Sequence, residues 1–299
     1  MKYNYLGFIK DKLISVGGDK IIRVHDLENH SRSVIREVNL ALDDDESLPT
    51  LVYLEHLNVV AIGRKNGIVQ LIDFDSIKIL REFHLPLSDN YYKGWGVMVM
   101  NMSPDQRILI IGQTWYTAYP LNIDSGSTKE ISISAQPIAI KYSNDFKLVG
   151  VFHAEQGGQG LDIYKLISET NWEKLIDFWS INAFNFSSDS RKLIIFGKNE
   201  NSLFQLKCLD INDFSVDWEL EFSLADLGND NIHDYGFLIG FIEVIQSTVC
   251  FAINSKVFFI KNGIIEKEEF CDYHIEAITK RKNQLWIATE NEIKVYSNV

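Results

Sequence analysis

"SVGGDKIIRVHD", residues 15–26, is the stretch whose reading decides the fold. A glycine pair, Gly17 and Gly18, precedes Asp19, and an alternating run then ends at His25–Asp26. A close echo stands at 61–76, "AIGRKNGIVQLIDFDS", where the alternating run ends at Asp73. Its turn is Asn66–Gly67, a strong two-residue hairpin signal because both positions tolerate positive φ. The phrase is therefore one beat of a repeat, and a repeat sets the architecture before any local signal does.

Looser echoes continue the count. "TAYPLNIDSG", "LDIYKLISE", "QLKCLDIND", "KVFFIKNG" and "EIKVYSNV" put Asn122, Lys165, Asp210, Lys261 and Ser297 where Asp26 and Asp73 stand. Successive beats are 47, 49, 43, 45, 51 and 36 residues apart. Seven beats with a period in the forties match the blades of a β-propeller. A second phrase keeps the same register: "MSPDQRILIIG" (102–112), "YSNDFKLVGVF" (142–152) and "FSSDSRKLIIFG" (186–197). Each reads as a tight turn, since Pro presets φ and Asp or Asn bonds nearby backbone. The strand that follows is apolar at nearly every position, as expected when both faces are covered. Helical periodicity is almost absent; the best candidate is "SLADLGND" at 223–230.

The expected fold is all-β, a seven-bladed β-propeller of mostly four-stranded antiparallel blades forming a single domain over 1–299. Blade 2 divides into strands near 51–55, 58–64, 67–73 and 78–84. Blade 3 runs from Val97 to Ile133, blade 4 from Ile138 to Phe178, and blade 5 from Ile181 to Phe222. Blades 6 and 7 take about 236–270 and 274–299. The last blade looks three-stranded. Either "YNYLGFI" is the inner strand of blade 1, the favoured reading, or residues 2–8 serve as the outer strand of blade 7.

These phrases resemble the WD40-repeat β-propellers. "SVGGDKIIRVHD" is similar to the family's strand-b to strand-c segment, with His25 in place of tryptophan, and "MSPDQRILIIG" and "FSSDSRKLIIFG" to its strand-a to strand-b turn. No beat ends in Trp-Asp and no Gly-His pair occurs, so the family's buried hydrogen-bond tetrad does not carry over. The resemblance implies a divergent member and an interaction platform.

Bulk properties narrow the function. Of 299 residues 46% are hydrophobic, enough for a substantial core. The net charge of −12 argues against nucleic acid, whose phosphates require clustered positive charge, and favours a basic protein surface. Cys208, Cys250 and Cys271 lack CxxC spacing, so neither a zinc site nor a disulfide framework is expected. No apolar stretch is long enough for a membrane helix. The N-terminal "MKYNYLGFIKDK" lacks a signal-peptide h-region, so a reducing, cytoplasmic setting is expected.

Antiparallel order places the b–c and d–a loops on one face, which receives the longer insertions: 42–49, 85–96, 113–117, 153–160 and 225–236. Binding residues concentrate on such loops. The partner-binding candidates are Tyr91, Tyr92, Trp95, Trp115 and Tyr116, which either anchor a partner or pack on one another. Asp43, Asp44, Asp45 and Glu46 form either a solvated loop or a patch for a basic partner; calcium spacing is lacking, with Leu48 where a glycine belongs. His153, Glu155 and "GGQG" read as a hairpin loop, since the glycines open a strand and not a phosphate-binding helix. Asp226, Asp230, His233 and Asp234 match no standard metal spacing. No GxSxG or HExxH motif occurs.

The leading expectation is a non-enzymatic scaffold that docks a protein or peptide on the loop-rich face, as a monomer or edge-paired dimer, with no cofactor or metal. The alternative is a propeller enzyme or small-molecule binder, such as a lactonase-like hydrolase, with a metal at the channel mouth.

Overall fold

A computed structural model of the chain describes residues 3–9, 12–17, 21–25, 34–39, 50–64, 67–86, 96–113, 116–155, 158–169, 171–201, 203–228, 240–289, 292–297 and 299. They form seven antiparallel sheets, each of four strands except the last, which has three. Blade 1 holds β1 (Tyr3–Ile9), β2 (Lys12–Gly17), β3 (Ile21–His25) and β4 (Val34–Asn39). Blade 2 holds β5 (Thr50–Leu54), β6 (Val59–Gly63), β7 (Ile68–Asp73) and β8 (Ile79–His84). Blade 3 follows with β9 (Val97–Met102), β10 (Ile108–Gln113), β11 (Thr117–Asn122) and β12 (Ile131–Ser132). Blade 4 has β13 (Gln136–Tyr142), β14 (Leu148–Glu155), β15 (Gly158–Ser168) and β16 (Asn171–Trp179). Blade 5 has β17 (Ile181–Phe186), β18 (Lys192–Lys198), β19 (Phe204–Asp210) and β20 (Val216–Phe222). Blade 6 comprises β21 (Gly240–Ile245), β22 (Thr248–Ile253), β23 (Lys256–Lys261) and β24 (Ile264–Phe270). Blade 7 comprises β25 (Ile275–Arg281), β26 (Gln284–Thr289) and β27 (Ile293–Ser297). The fold is a seven-bladed β-propeller.

The chain divides into two compact units, Leu40–Trp179 and Met1–Asn39 with Ser180–Val299. In the first, the inner strands β5, β9 and β13 lie side by side; in the second, β17, β21, β25 and β1 do. Burial follows strand position. Every residue of β6 and β10 is buried, which is why the second strands read as continuous apolar runs. The outermost strands are mostly exposed, as in β24.

The repeated phrase has a physical cause. Ser103, Ser143 and Ser187 each donate a hydroxyl hydrogen bond to the aspartate two residues on, at 2.5, 2.7 and 2.6 Å. Each hydroxyl oxygen also accepts the backbone N–H five residues on, from Ile108, Leu148 and Lys192, at 2.9 Å. The beat endings are Asx turns in three blades. Asp73, Asn122 and Asp210 side chains accept backbone N–H bonds from Ser76, Ser125 and Asn212. Blade 4 departs from this pattern: its third strand runs past Lys165 to Ser168. Asparagines in the same position of blades 3 and 5 join neighbouring inner strands. Asn101 donates to the Ile140 carbonyl at 2.7 Å, and Asn185 to that of Ile242 at 2.8 Å.

Two local expectations need correction. The turn at Asn66–Gly67 is longer than two residues: Arg64 N–H donates to Ile68 O, Gly67 N–H donates to Arg64 O, and Gly67 has φ +77°. Asn66 itself lies outside the described residues. Residues 224–228 form hydrogen-bonded turns, not a helix: Ser223 and Asp226 cap a first turn, and Gly228 at φ +74° ends it at once. Among the described residues the one helix is a 3-10 turn, Glu55–Leu57.

The favoured reading of the first strand holds. β1 pairs with β2 and packs beside β25 as the inner strand of blade 1. Phe8 meets the Trp286 ring edge-on at 5.3 Å, and Leu13 shares a core cluster with Ala277, Trp286, Ala288 and Ile293. Among the described residues side-chain packing, with no shared strand, joins blades 7 and 1.

Close approach between neighbouring strands requires glycine at Gly197. A Cβ there would stand 2.1 Å from the Ser180 carbonyl oxygen, a backbone atom that also accepts the Lys198 N–H. Gly197→Ala is expected to destabilise by about 3 kcal/mol, as overpacking against backbone does. Urea unfolding should show this as a lower midpoint with an unchanged slope.

Candidate functional site

The end of blades 3 and 4 that carries their b–c and d–a connections is built by two β-bulges. In blade 3, Val97 pairs with Gln113 and Val99 with Gly112, so Met98 is the extra residue. In blade 4, Pro137 pairs with His153 and Ala139 with Phe152, which leaves Ile138. Bulges at sheet rims re-aim side chains. Met98 is 40% exposed and Ile138 42%. Gly112 keeps the two strand starts close, since a Cβ there would meet both Val99 and Pro137 at 2.6–2.7 Å.

Tyr116 adds an exposed aromatic at the same end. It occupies the b–c turn of blade 3 at φ +66°, uncommon for a bulky side chain. Its carbonyl accepts the Ile133 N–H at 2.8 Å, which ties the turn to the connection leading into blade 4. Of the expected anchors, Tyr116 alone is described. Tyr91, Tyr92, Trp95 and Trp115 lie outside the described residues, as do Asp43, Asp44, Asp45 and Glu46. Met98 and Ile138 escaped sequence reasoning. Met98, Met100 and Met102 share one face in a regular strand; the bulge separates Met98 from the buried Met100, and period-two reading carries no signal for it.

Blade 4 corrects the reading of 153–160 as a loop. His153, Ala154 and Glu155 pair with Gly160, Gln159 and Gly158, so both strands extend almost to the hairpin tip. Gly160 lets the His153 ring lie over the strand, since a Cβ would stand 2.6 Å from its Cε1. His153 is buried, edge-on to Trp179 at 6.1 Å.

Next to it lies a fully buried carboxylate. Asp162 Oδ2 accepts the Tyr164 hydroxyl at 3.0 Å, and Oδ1 pairs with Lys174 Nζ at 2.8 Å. His153 Nε2 stands 3.5 Å from Oδ1, within ion-pair range but outside hydrogen-bond geometry. Lys174 also donates to the Ser134 hydroxyl at 3.1 Å, in the connection from blade 3. Burial alone raises the Asp162 pKa, but His153, Lys174 and Ser134 outweigh it and hold the group well below the usual carboxylate range. Burial dominates in pushing the Tyr164 phenol up, with the Asp162 charge adding to it. The cluster ties three strands of one blade to the preceding connection, with the carboxylate's charge enclosed.

A second buried polar pair occupies blade 1. Ser15 Oγ and His25 Nε2 are 2.7 Å apart, with Ser15 fully buried, so the pair is positioned as a core hydrogen bond beneath the surface. The three cysteines are free and buried. Burial pushes the Cys208 thiol up to about 11 and the Cys250 thiol up to about 12, and raises that of Cys271. Thiols, not thiolates, are the inert form. Iodoacetamide at neutral pH is therefore expected to leave all three unlabelled in the native protein and to label all three after denaturation, read by mass spectrometry.

Among the described residues no group of three or more His, Cys, Asp or Glu side chains is arranged to hold a metal ion. None of the described helices is long and apolar enough to cross a membrane. No protein-family model matches the chain, and no curated protein matches it either.

Proposed function

We propose that this β-propeller is a non-enzymatic scaffold that docks a protein or peptide at the b–c and d–a end of blades 3 and 4. The supporting observation is the exposed apolar set Met98, Ile138 and Tyr116. Two of the three are presented by bulges that interrupt strand pairing, and apolar and aromatic side chains of this kind act as interface anchors. Tyr91, Tyr92 and Trp95 belong to the connection leading into Met98, and Trp115 directly precedes Tyr116. These aromatics extend the anchor set. A basic partner suits a chain of net charge −12, with Asp43, Asp44, Asp45 and Glu46 as a further contact. The WD40-like phrases support the same role, and three unpaired thiols suit a reducing, cytoplasmic setting.

The test compares variants in partner capture. Trp95→Ala with Tyr92→Ala, and separately Met98→Asp with Ile138→Asp, should keep the melting temperature and lose the captured partner. Truncating a hot-spot anchor costs about 2 kcal/mol or more, or roughly 30-fold in affinity. Leu80→Asp on the exposed outer strand β8 should capture normally. Unfolding of the alanine pair would show that these aromatics pack on one another. Normal capture by both pairs would place the site elsewhere.

A further inference from the structure

The geometry points to a second docking site on the outer edge of blade 7, where a partner's extended segment adds as a fourth strand. This site shares no residue with the one on blades 3 and 4 and does not depend on it. Among the described residues β27 pairs with β26 on one side and with no strand on the other, whereas each of the other six blades carries a fourth strand. Its pairing with β26 is regular, without a bulge to twist the edge away. Nor does it contain a proline to blunt the edge. Its one lysine, Lys294, is drawn to Glu292 at 3.0 Å and Asp272 at 3.9 Å.

A groove accompanies the open edge. It measures about 370 Å³ and is lined by Phe259, Glu266 and Lys267 from blade 6 and by Val295, Tyr296 and Val299 from blade 7. Among its lining residues the Phe259 and Tyr296 rings lie 5.5 Å apart, with Lys267 Nζ 5.8 Å from the centre of the Phe259 ring. An added strand gains main-chain hydrogen bonds from the edge and selectivity from pockets for alternate side chains. Edge and groove together supply both.

An occupant that fills the groove as well as pairing with the edge must have side chains free on the groove's face. The β27 strand of a second copy does not, because its Ile293 is committed to the core cluster beside blade 1 and its Tyr296 to the cluster beside blade 6. A peptide segment meets the requirement. Charge then selects its chemistry. Glu268 pairs with Lys256 and Glu269 with Lys267, while Glu266 at the groove has no ion pair or hydrogen bond among the described residues. The segment that fits is an extended strand with an aliphatic residue over Phe259 and Tyr296 and lysine or arginine on the same face.

The probe is the synthetic peptide acetyl-TKTITKT-amide, which puts isoleucine and both lysines on one face, used at about 1 mM to detect weak binding. Hydrogen exchange of 293–297 is expected to slow at least tenfold with this peptide and to change little with acetyl-TETITET-amide. Glu266→Lys, an exposed change, should keep the melting temperature, weaken the basic peptide at least fivefold and improve the acidic one. Absence of protection, equal protection by both peptides, or unchanged affinity in Glu266→Lys would each overturn the proposal. So would a peptide-free protein that sediments as a dimer with 293–297 protected, since the edge would then belong to a second copy. Met98→Asp should leave peptide protection intact, which separates failure here from failure of the site on blades 3 and 4.

Discussion

Asp162→Ala is expected to lower stability by about 3–5 kcal/mol, the cost of removing one partner of a buried ion pair. The aspartate is fully buried, and its loss leaves the Lys174 ammonium with only the more distant Asp177, 3.5 Å away, as counter-charge and the Tyr164 hydroxyl without its acceptor. Lys174→Met is the complementary test. It leaves the fully buried carboxylate with the Tyr164 hydroxyl and a more distant His153, and its cost should be at least as large, because the charge left behind in Asp162→Ala, Lys174, is partly exposed. The pH dependence has a defined sign. The Asp162 pKa is lower in the folded state than its ordinary value of 3.8, so its contribution is complete well above that value and is lost as pH falls below it. Urea midpoints should therefore separate wild type from Asp162→Ala widely at pH 7 and much less at about pH 2. Equal separation at both values would show that the variant acts through a cavity and not through charge.

Phe251→Ala carries the second large effect, about 3–5 kcal/mol for emptying a buried aromatic site. Phe251 is fully buried between blades 5 and 6. Its ring centroid lies 4.5 Å from that of Phe196, 5.8 Å from Phe222 and 5.9 Å from Phe258. No other side chain touches all three of these rings among the ring contacts described. Phe251→Leu, which keeps most of the volume, should recover more than half of the loss. Equilibrium unfolding in guanidinium measures both, provided the slope stays constant across the variants.

The fold was legible because its cause is local and repeated. A serine that binds both an aspartate two residues on and a backbone N–H five residues on must recur as the same short phrase, and it does at Ser103, Ser143 and Ser187. Second strands covered on both faces must be apolar throughout, as Ile108–Ile111 are. The Asx turns at Asp73, Asn122 and Asp210 mark the beat in the same way. The site was less legible. A bulge adds one residue without changing composition, so the exposure of Met98 and Ile138 has no pattern to announce it. The Asp162 cluster is assembled across β14, β15 and β16, and its members share no linear motif. Glycine also misled: Gly158 and Gly160 suggest a loop, yet Gly160 is a strand residue kept small by the His153 ring.

The most direct measurement of the docking proposal is site-specific photocrosslinking at Tyr116, the exposed aromatic of the proposed surface. A benzoylphenylalanine there, irradiated in native lysate, should form one dominant protein adduct. Met98→Asp should abolish it, and the same group at Leu80 on β8 should not form it. An adduct that forms equally from Leu80, or none from Tyr116 while the protein remains folded, would contradict a binding site at this end of blades 3 and 4.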